Sequence, residues 1–267
     1  MSDDTPLPVA TPAANPAVPF DLLREERSWA VVNKPAGVVT EPGLGHQRDS
    51  LLNGLMARWP QALGAMGERR DWGLLHRLDR DTSGAVIVAL EPAAYDHLRA
   101  QFERRAVVKH YLALVQGRAP AAHGTIRVPL QEVRRGDMKV SAVTPRGGEE
   151  AITRYQSLGR GNGRELLQLE LVTGRLHQIR AHMAHVGCPV VNDRVYRVDL
   201  PPNTSKPPKG RPTLPLALVA WSVSLAPPGA GQNGAMVTVT APLPESFTAL
   251  LKEAQIPVPL EPAQMPR

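Results

Sequence analysis

A charged loop, His76-Arg77-Leu78-Asp79-Arg80-Asp81-Thr82-Ser83-Gly84, runs directly into the apolar stretch Ala85–Leu90. The apolar stretch has the length and the β-branched content of a buried strand. Charged loops at the edge of a rigid, buried strand are where proteins commonly present an active site. We therefore place the candidate active site at this loop, on a sheet that contains the strand behind it.

Outward from this loop, short β-like runs alternate with helical patterns along the chain. Strands are predicted at Trp29–Asn33, Ala85–Leu90, Val107–Gln116, Ile152–Ser157, Leu166–Val172, Ala217–Leu225 and Met236–Thr240. Helices are predicted at Ser50–Trp59, Pro92–Arg104, His177–Val186 and Glu245–Ala254. Turn residues within 128–150 indicate an exposed basic hairpin or insertion. The order predicts an α/β fold of the α+β type, with one large mixed, mainly antiparallel sheet flanked by helices.

Composition excludes several classes of protein. The 267 residues are 42% hydrophobic, so the chain can build a core and is not disordered as a whole. Its single cysteine, Cys188, excludes an intramolecular disulfide framework and zinc sites with several thiolates. The sequence shows neither a signal peptide nor a membrane-spanning run, so we expect a soluble cytoplasmic protein. The 31 Lys and Arg residues against 25 Asp and Glu residues are compatible with a polyanionic partner.

Proline-rich segments divide the chain. Of the 27 prolines, many fall in two terminal stretches of small residues without periodicity. We expect a disordered arm over 1–22, a single catalytic domain over 23–254 and a disordered tail over 255–267. A third cluster, 201–212, predicts an exposed basic loop that includes Lys206–Arg211.

Asp79 is the residue of the charged loop best suited to chemistry. The guanidinium groups of Arg77 and Arg80 lie close in sequence and favour an ionised carboxylate. An ionised and oriented carboxylate is a candidate nucleophile or general base. The alternatives are a surface salt-bridge network, or a carboxylate pair or metal site formed with Asp81, although side chains two positions apart need not converge.

A second concentration of polar residues follows a predicted strand, at 173–185. Gly174 permits a tight turn, and the helix start beyond it offers free backbone N–H groups beside Arg175, a combination suited to an anion or a carboxylate. Arg175 therefore pairs with Asp79 if the two loops meet. His182 and His185, with His177, are an alternative metal site, but their spacing departs from the usual zinc motif and favours a packing or phosphate-facing role.

Two further segments carry candidate residues at strand positions. Tyr111 lies on the same face of its predicted strand as Lys109. Lys34 stands at a strand end, immediately before a proline and a glycine turn. Taken separately, a packing tyrosine and a strand-terminating turn are the ordinary interpretations of these two segments.

Together the four segments resemble the RluA-type RNA pseudouridine synthases. The resemblance rests on motifs in the family's order: Asn33-Lys34-Pro35-Ala36-Gly37, His76-Arg77-Leu78-Asp79 with Thr82-Ser83-Gly84, Lys109-His110-Tyr111, and Thr173-Gly174-Arg175-Leu176-His177-Gln178-Ile179-Arg180. It spans about Trp29 to Leu251. It implies the pseudouridine synthase fold and an isomerase, an intramolecular transferase, that converts specific uridines of structured RNA to pseudouridine. It implies no cofactor and no metal, a monomer, and rRNA or tRNA as the partner, with no membrane.

The resemblance also implies roles for individual residues. Asp79 is the nucleophile, linked transiently to the ribose or to the base of a flipped-out uridine. Tyr111 stacks on the uracil, and Arg175 forms a salt bridge that orients Asp79. Contacts to the RNA are assigned to Arg77, Arg80, Lys34, His177 and Arg180.

The chain departs from the family pattern at several positions. Many members of the family carry an S4-type RNA-binding domain before the catalytic one, whereas we expect only a proline-rich arm before Trp29. The resemblance then assigns RNA selection to the catalytic domain, to the insertion around 134–146 and to the loop at 206–211. Asn192 replaces a usual glycine, Val219 a usual histidine, and Glu41 another polar residue. The competing hypotheses are a catalytically silent RNA-binding protein on the same scaffold and a metal-dependent hydrolase built on the aspartates and histidines. No role is predicted for Cys188.

Overall fold

A computed structural model describes residues 11–136, 138–197, 214–230, 235–263 and 265 of the chain. The strands are β1 (Asp21–Glu25), β2 (Trp29–Lys34), β3 (Ser83–Ala89), β4 (Val108–Gln116), β5 (His123–Arg127), β6 (Leu130–Arg135), β7 (Met138–Val143), β8 (Ile152–Gly161), β9 (Arg164–Leu171), β10 (Leu218–Leu225) and β11 (Val237–Thr240). The helices are α1 (Leu51–Arg58), α2 (Pro60–Met66), α3 (Pro92–Glu103), α4 (Gln178–His185) and α5 (Glu245–Ala254), with a short 3₁₀ segment at Glu68–Gly73. None of the helices in these described ranges is both long enough and apolar enough to span a bilayer.

Nine strands form one sheet in the order β1-β2-β3-β10-β4-β9-β8-β5, with β11 paired to β10 beside this path. The pairs are antiparallel except β3 with β10, which run parallel. The prediction of a large, mixed and mainly antiparallel sheet flanked by helices is therefore confirmed.

Strand β3 is buried over its whole length because both faces of the sheet are covered. Its side chains alternate between two core clusters. Val86 and Val88 pack in the larger cluster, which includes residues of α1, α2, α4 and α5. Ala85 and Ile87 pack in the smaller cluster, which includes residues of α3. A strand covered on both faces has the continuous apolar sequence seen here, and it gives the loop before it a rigid base.

Gly84 is required where β3 approaches β10. Its φ is +120°, and a Cβ atom built there would lie 2.1 Å from the Ala220 carbonyl oxygen. We expect Gly84→Ala to lower the free energy of unfolding by about 2–4 kcal/mol, because the backbone strain and the overpacking add. Gly64→Ala in α2 is the control, since its Cβ would meet no atom within 4 Å. Urea unfolding measures both, and equal midpoints for the two variants would contradict the expectation.

Residues 11–22 do not form the free arm that composition predicts. The Asn53 side chain of α1 donates to the Ala13 carbonyl at 2.7 Å, and the Asn15 side chain donates to the Arg48 carbonyl at 2.6 Å. Val18 is buried, and β1 begins at Asp21. Side-chain amides here supply the ordering contacts that a proline-rich backbone cannot make by itself. Residues 1–10 lie outside the described residues.

The chain after α5 also packs on the domain, where a disordered tail is predicted. Ile256 is buried, and the Gln168 side chain exchanges two hydrogen bonds with the Ala263 backbone, at 2.7 and 2.8 Å. The described part of the tail therefore contacts β9 in the middle of the strand, at Gln168. The predicted loop at 201–212 lies outside the described residues.

The predicted insertion is a two-stranded hairpin, β6–β7, separate from the main sheet. It has a small core of its own, to which Leu130 and Val140 contribute together with Ala181 of α4 and Tyr196. The hairpin is thereby fixed against the helix that follows Gly174, at one side of the candidate site.

Candidate active site

A cleft of about 810 Å³ opens where the charged loop meets β4, the turn before α4 and the hairpin. Among its lining residues are Arg77, Asp79, Tyr111, Arg175, His177 and Arg180. The structure thus brings together six of the eight predicted site residues. Lys34 and Arg80 are not among the lining residues.

Asp79 is held by Arg180. The Arg180 Nη1 atom lies 3.1 Å from Asp79 Oδ2, and its Nε and Nη2 atoms bind the two oxygens of Asp193 at 2.7 and 3.1 Å. Asp193 is fully buried, Arg180 nearly so, and the Asp79 side chain is 20% exposed. Burial opposes the charge of Arg180, but the hydrogen bonds and charges of the two aspartates raise its pKa above the usual range. One guanidinium therefore fixes the partly exposed carboxylate of Asp79 to the buried carboxylate of Asp193.

The predicted salt bridge from Arg175 to Asp79 is wrong. Arg175 turns toward the hairpin side, with Nη1 at 2.8 Å from Glu149 Oε2 and Nε donating to the Glu150 carbonyl. The backbone N–H of Arg175 is also occupied, since it donates to Gln178 Oε1 at 3.0 Å. The turn before α4 therefore offers less free N–H capacity than the sequence predicts. The contact with Asp79 that was expected of Arg175 is made by Arg180, in the first turn of the helix.

The resemblance assigns Arg180 to a contact with RNA, but the Arg180 side chain is not free to make one. Its side chain is 7% exposed, and its guanidinium is shared between the two aspartates. The guanidinium also stacks over the Tyr196 ring, 5.2 Å from its centroid. Arg180 is a positioning group in this structure, because a buried fork with three hydrogen bonds to carboxylates fixes their orientation.

Tyr111 forms the wall of the cleft beside Asp79. It lies in the middle of β4, where it is buried, and its burial together with the nearby Asp79 charge raises its pKa above the usual range. The phenol is therefore neutral at physiological pH. A neutral, buried ring that lines a cleft is suited to stacking against a planar base.

His177 occupies the space between Asp79 and Tyr196. Its Nε2 is 3.9 Å from Asp79 Oδ2, and its Nδ1 is 3.2 Å from the Tyr196 hydroxyl. Burial lowers the pKa of His177, although the Asp79 charge opposes this shift. The imidazole is thus neutral at neutral pH. It lines the cleft, and its contact with RNA stays a prediction.

The residues from 28 to 185 match the family model of RNA pseudouridylate synthases. The chain is 35% identical over 236 residues to an uncharacterized RNA pseudouridine synthase of Synechocystis sp., covering 88% of this chain and 68% of that protein. It is 35% identical over 239 residues to ribosomal large subunit pseudouridine synthase D of Nitrosomonas europaea, covering 88% of this chain and 65% of that protein. The chain belongs to the RNA pseudouridylate synthase family.

The fold agrees with this membership. The solved structure of human RNA pseudouridylate synthase domain containing 4 superposes with a TM-score of 0.68, at 23% identity, covering 90% of this chain and 95% of that one. The chain spans about two thirds of the length of the first curated relatives, as their coverage of 68% and 65% shows. As a pseudouridine synthase, the protein is an isomerase that acts on uridine in RNA, and the resemblance to the RluA type is confirmed.

Lys34 is a structural residue of this synthase, and its predicted contact with RNA is wrong. The side chain is fully buried. Its Nζ atom donates to the carbonyls of Pro35, Val38 and Arg80, at 3.0, 2.6 and 3.1 Å. Burial lowers the pKa of Lys34 to about 7, against the opposing charges of Asp79 and Asp81. Lys34 ties the first motif to the turn after Asp79, which explains a lysine directly before the proline.

Arg77 and Arg80 remain exposed on either side of Asp79. Arg77 is 71% exposed and forms an ion pair of 3.1 Å with Glu41, one of the positions that depart from the family pattern. Arg80 pairs with Asp81 at 3.1 Å. Asp81 thus points to its neighbour at the surface and forms no carboxylate pair with Asp79.

The histidines of α4 do not form the alternative metal site. His182 is buried, with Nδ1 at 2.9 Å from Thr153 Oγ1 and Nε2 at 3.0 Å from the Val128 carbonyl. It therefore joins the helix to β8 and to the chain before the hairpin. Among the residues that the structure describes, no group of three His, Cys, Asp or Glu side chains is arranged to hold a metal ion.

Sequence reasoning missed Asp193 and Tyr196 as parts of the site. Besides binding Arg180, Asp193 accepts the backbone N–H groups of Val195 and Tyr196 at 2.8 and 3.0 Å, which fixes the turn that carries the tyrosine. Asn192 before it has φ of +65°, a conformation that asparagine tolerates well and that explains the family's usual glycine. A charged residue at a buried helix position such as 180 is the signal that predicts such a partner.

Proposed function

We propose that Asp79 is the nucleophile that isomerises a flipped-out uridine in structured RNA. The observation that supports this role is the fixed carboxylate: Arg180 orients Asp79 from inside the protein, while part of the Asp79 side chain stays open to the cleft. The carboxylate adds to the ribose or to the base, the bond between N1 and C1′ breaks, the uracil turns, C5 bonds to C1′, and the bond to Asp79 breaks so that the carboxylate is regenerated. The C5 proton leaves, N1 gains a proton, and no atom is gained or lost overall.

Tyr111 is proposed to receive the flipped base. Taking a base out of an RNA stack costs a few kcal/mol, and stacking on an aromatic ring returns about 1–3 kcal/mol of it. Because burial and the Asp79 charge raise the pKa of Tyr111, its hydroxyl is a poor proton acceptor in the unliganded cleft. Its first role is therefore stacking, with proton removal from C5 as the second candidate role.

Ribosomal RNA is the first candidate substrate and tRNA the second. The relative from Nitrosomonas europaea carries the name of a ribosomal large subunit synthase, which supports the first. Incubating the purified full chain with total RNA from cells that lack it, followed by carbodiimide mapping of pseudouridines, tests both. We expect new pseudouridine at a small number of uridines, with or without a chelator. Absence of any new pseudouridine, or its loss with the chelator, would contradict the proposal. A cytoplasmic monomer stays the expectation from sequence.

The hairpin β6–β7 is proposed to contact RNA phosphates. Arg134 and Arg135 stand at the end of β6, and neither forms an ion pair with another residue that the structure describes. We expect the double variant Arg134→Gln, Arg135→Gln to bind substrate RNA more weakly and to lower the slope of log affinity against log salt by about 1.4, because each phosphate contact contributes about 0.7. A filter-binding series between low and high salt measures the slope.

The control is a second double variant, Arg69→Gln with Lys252→Gln, which also removes two positive charges, but from exposed positions that do not line the cleft. Its slope should equal that of the wild type. An equal reduction in both double variants would mean that net charge, and not the hairpin, determines the salt dependence.

A further inference from the structure

Three side chains form a layer in the cleft that the proposed chemistry at Asp79 does not use. The ring of Phe102 contacts the other two, since its centroid is 5.4 Å from the His76 ring centroid and 5.4 Å from Lys109 Nζ. All three line the same cleft as Asp79 and Tyr111. They come from three elements, the charged loop, α3 and β4, so the layer is fixed by the fold.

Lys109 is a half-buried cation without a carboxylate. Within the described ranges, its ammonium has neither a hydrogen bond nor an ion pair, and it makes a cation–π contact with the ring of Phe102. Burial lowers the pKa of Lys109 to about 8, which leaves it mostly charged at neutral pH. The other cations at this cleft differ: Arg99 pairs with Glu103 at 3.4 Å, and Arg175 pairs with Glu149 at 2.8 Å. A desolvated and uncompensated charge is costly unless a ligand completes it.

His76 offers a second donor in the same layer of the cleft, where the Lys109 charge acts on it. Its Nε2 accepts the backbone N–H of Ile87 at 3.0 Å. Burial and the nearby Lys109 charge lower the pKa of His76 to about 3, so the ring is neutral. In a neutral imidazole with an accepting Nε2, the hydrogen is on Nδ1. This Nδ1–H has no hydrogen-bond partner in the part of the chain that the structure describes.

We propose that Lys109 and the Nδ1–H of His76 form a phosphate subsite that holds the phosphate of the nucleotide bound in the cleft. Both groups are donors only, and a phosphate ester offers acceptors only, whereas the uracil edge presents an N–H among its carbonyls. A Lys ammonium is a common phosphate-binding group that acts as a point charge, and an N–H that lines the same cleft adds a second donor for the phosphate oxygens. The subsite makes Lys109 a positioning residue, since it acts at a distance from the reacting bond.

The spacing along β4 fits one nucleotide. Lys109 and Tyr111 lie on the same face, two residues apart, which corresponds to about 7 Å along a strand. This inference rests on the proposed stacking of the base against Tyr111. With the base there, the phosphate of the same nucleotide reaches the Lys109 end of the cleft, and the ribose lies beside Asp79.

Uridine 5′-monophosphate and uridine are the probes, because they differ only in the phosphate. We expect the wild type to bind the nucleotide about 10-fold more tightly than the nucleoside, as measured by calorimetry or NMR titration. Lys109→Met should remove most of this difference while leaving uridine affinity unchanged, and Lys109→Arg should retain it. The His76 Nδ1 resonance should shift with the nucleotide and not with uridine, a signal that a purely structural residue would not give.

Arg99→Met is the matched control, because Arg99 lines the same cleft but has Glu103 as its partner. It should keep the full difference between nucleotide and nucleoside. The proposal is overturned if the wild type binds both probes equally, if Lys109→Met weakens both equally, or if Arg99→Met loses as much as Lys109→Met. Pseudouridine formation by the wild type is measured separately. If the wild type modifies RNA but binds the nucleotide no more tightly than the nucleoside, the subsite alone is refuted. If it binds the nucleotide more tightly but forms no pseudouridine, the proposed function alone is refuted.

Discussion

Replacing Asp79 with asparagine is expected to lower the rate of pseudouridine formation by about 10⁴-fold or more, since removal of a nucleophile eliminates the covalent step. Asparagine keeps the shape of the side chain and an oxygen that accepts from Arg180, so the fold should persist. RNA affinity should be nearly unchanged, because the surrounding cations and Tyr111 stay in place. Asp79→Ala should be equally inactive. Single-turnover assays on the mapped RNA, with parallel binding measurements, give both quantities.

Asp81→Asn is the matched control for this prediction. Asp81 lies two positions further along the same loop, at the surface, where it pairs with Arg80. The variant removes one negative charge from the loop without touching the Arg180 network, so activity should stay within a few-fold of the wild type. If Asp79→Asn kept activity within about tenfold of the wild type, or if both variants lost it alike, Asp79 would not be the nucleophile.

The second large effect is expected at Arg180. Arg180→Ala leaves the fully buried Asp193 without its cation. Breaking a buried pair in this way lowers the free energy of unfolding by about 3–5 kcal/mol. Catalysis should fall by about 10²-fold in the fraction that remains folded, because Asp79 loses the group that orients it. Chemical denaturation and single-turnover rates below the unfolding transition separate the two effects.

Two further variants keep this prediction testable if Arg180→Ala fails to fold. Arg180→Lys retains the charge but cannot bridge both aspartates with a planar fork, so it should be more stable than Arg180→Ala and still slow. Arg175→Ala removes the arginine in the turn before α4, whose side chain contacts Glu149. It should retain most of the activity. Equal losses at positions 175 and 180 would show that the ion bridge through Arg180 does not orient the nucleophile.

Most of the fold follows from periodicity. The seven strands and four helices predicted from patterns occur within a few residues of their predicted positions, and the last helix has the bounds Glu245–Ala254 in both. The packing of residues 11–20 was missed because its order comes from partners far away in sequence, such as Asn53. Strand β1 was missed although its partner β2 follows it directly in sequence. Composition indicates how much apolar surface a segment can bury. It does not indicate which distant side-chain amide will form hydrogen bonds with the backbone of that segment.

The site was predicted less completely, for a related reason. Motif order placed Asp79, Tyr111 and Arg77 in one cleft, where the structure has them. It could not decide which of two arginines reaches Asp79, because that depends on the rotation of α4 and on Asp193 beyond the helix. Lys34 is a second residue whose role the sequence could not decide. A lysine at a strand end resembles an RNA contact in sequence, and only the three surrounding carbonyls reveal a structural ammonium.

The ion pair between Arg77 and Glu41 has a consequence for the thermodynamics of substrate entry. RNA that engages Arg77 must first displace the Glu41 carboxylate, so one ion pair is exchanged for another. The RNA phosphate that binds Arg77 releases a salt cation to solution, while the freed Glu41 carboxylate attracts a salt cation in its place, so the two changes largely cancel. Arg77 therefore contributes less to the salt dependence of binding than an arginine without a carboxylate partner. This synthase keeps its most exposed cleft arginine neutralised until a ligand competes for it, which disfavours loosely held polyanions at the mouth of the cleft.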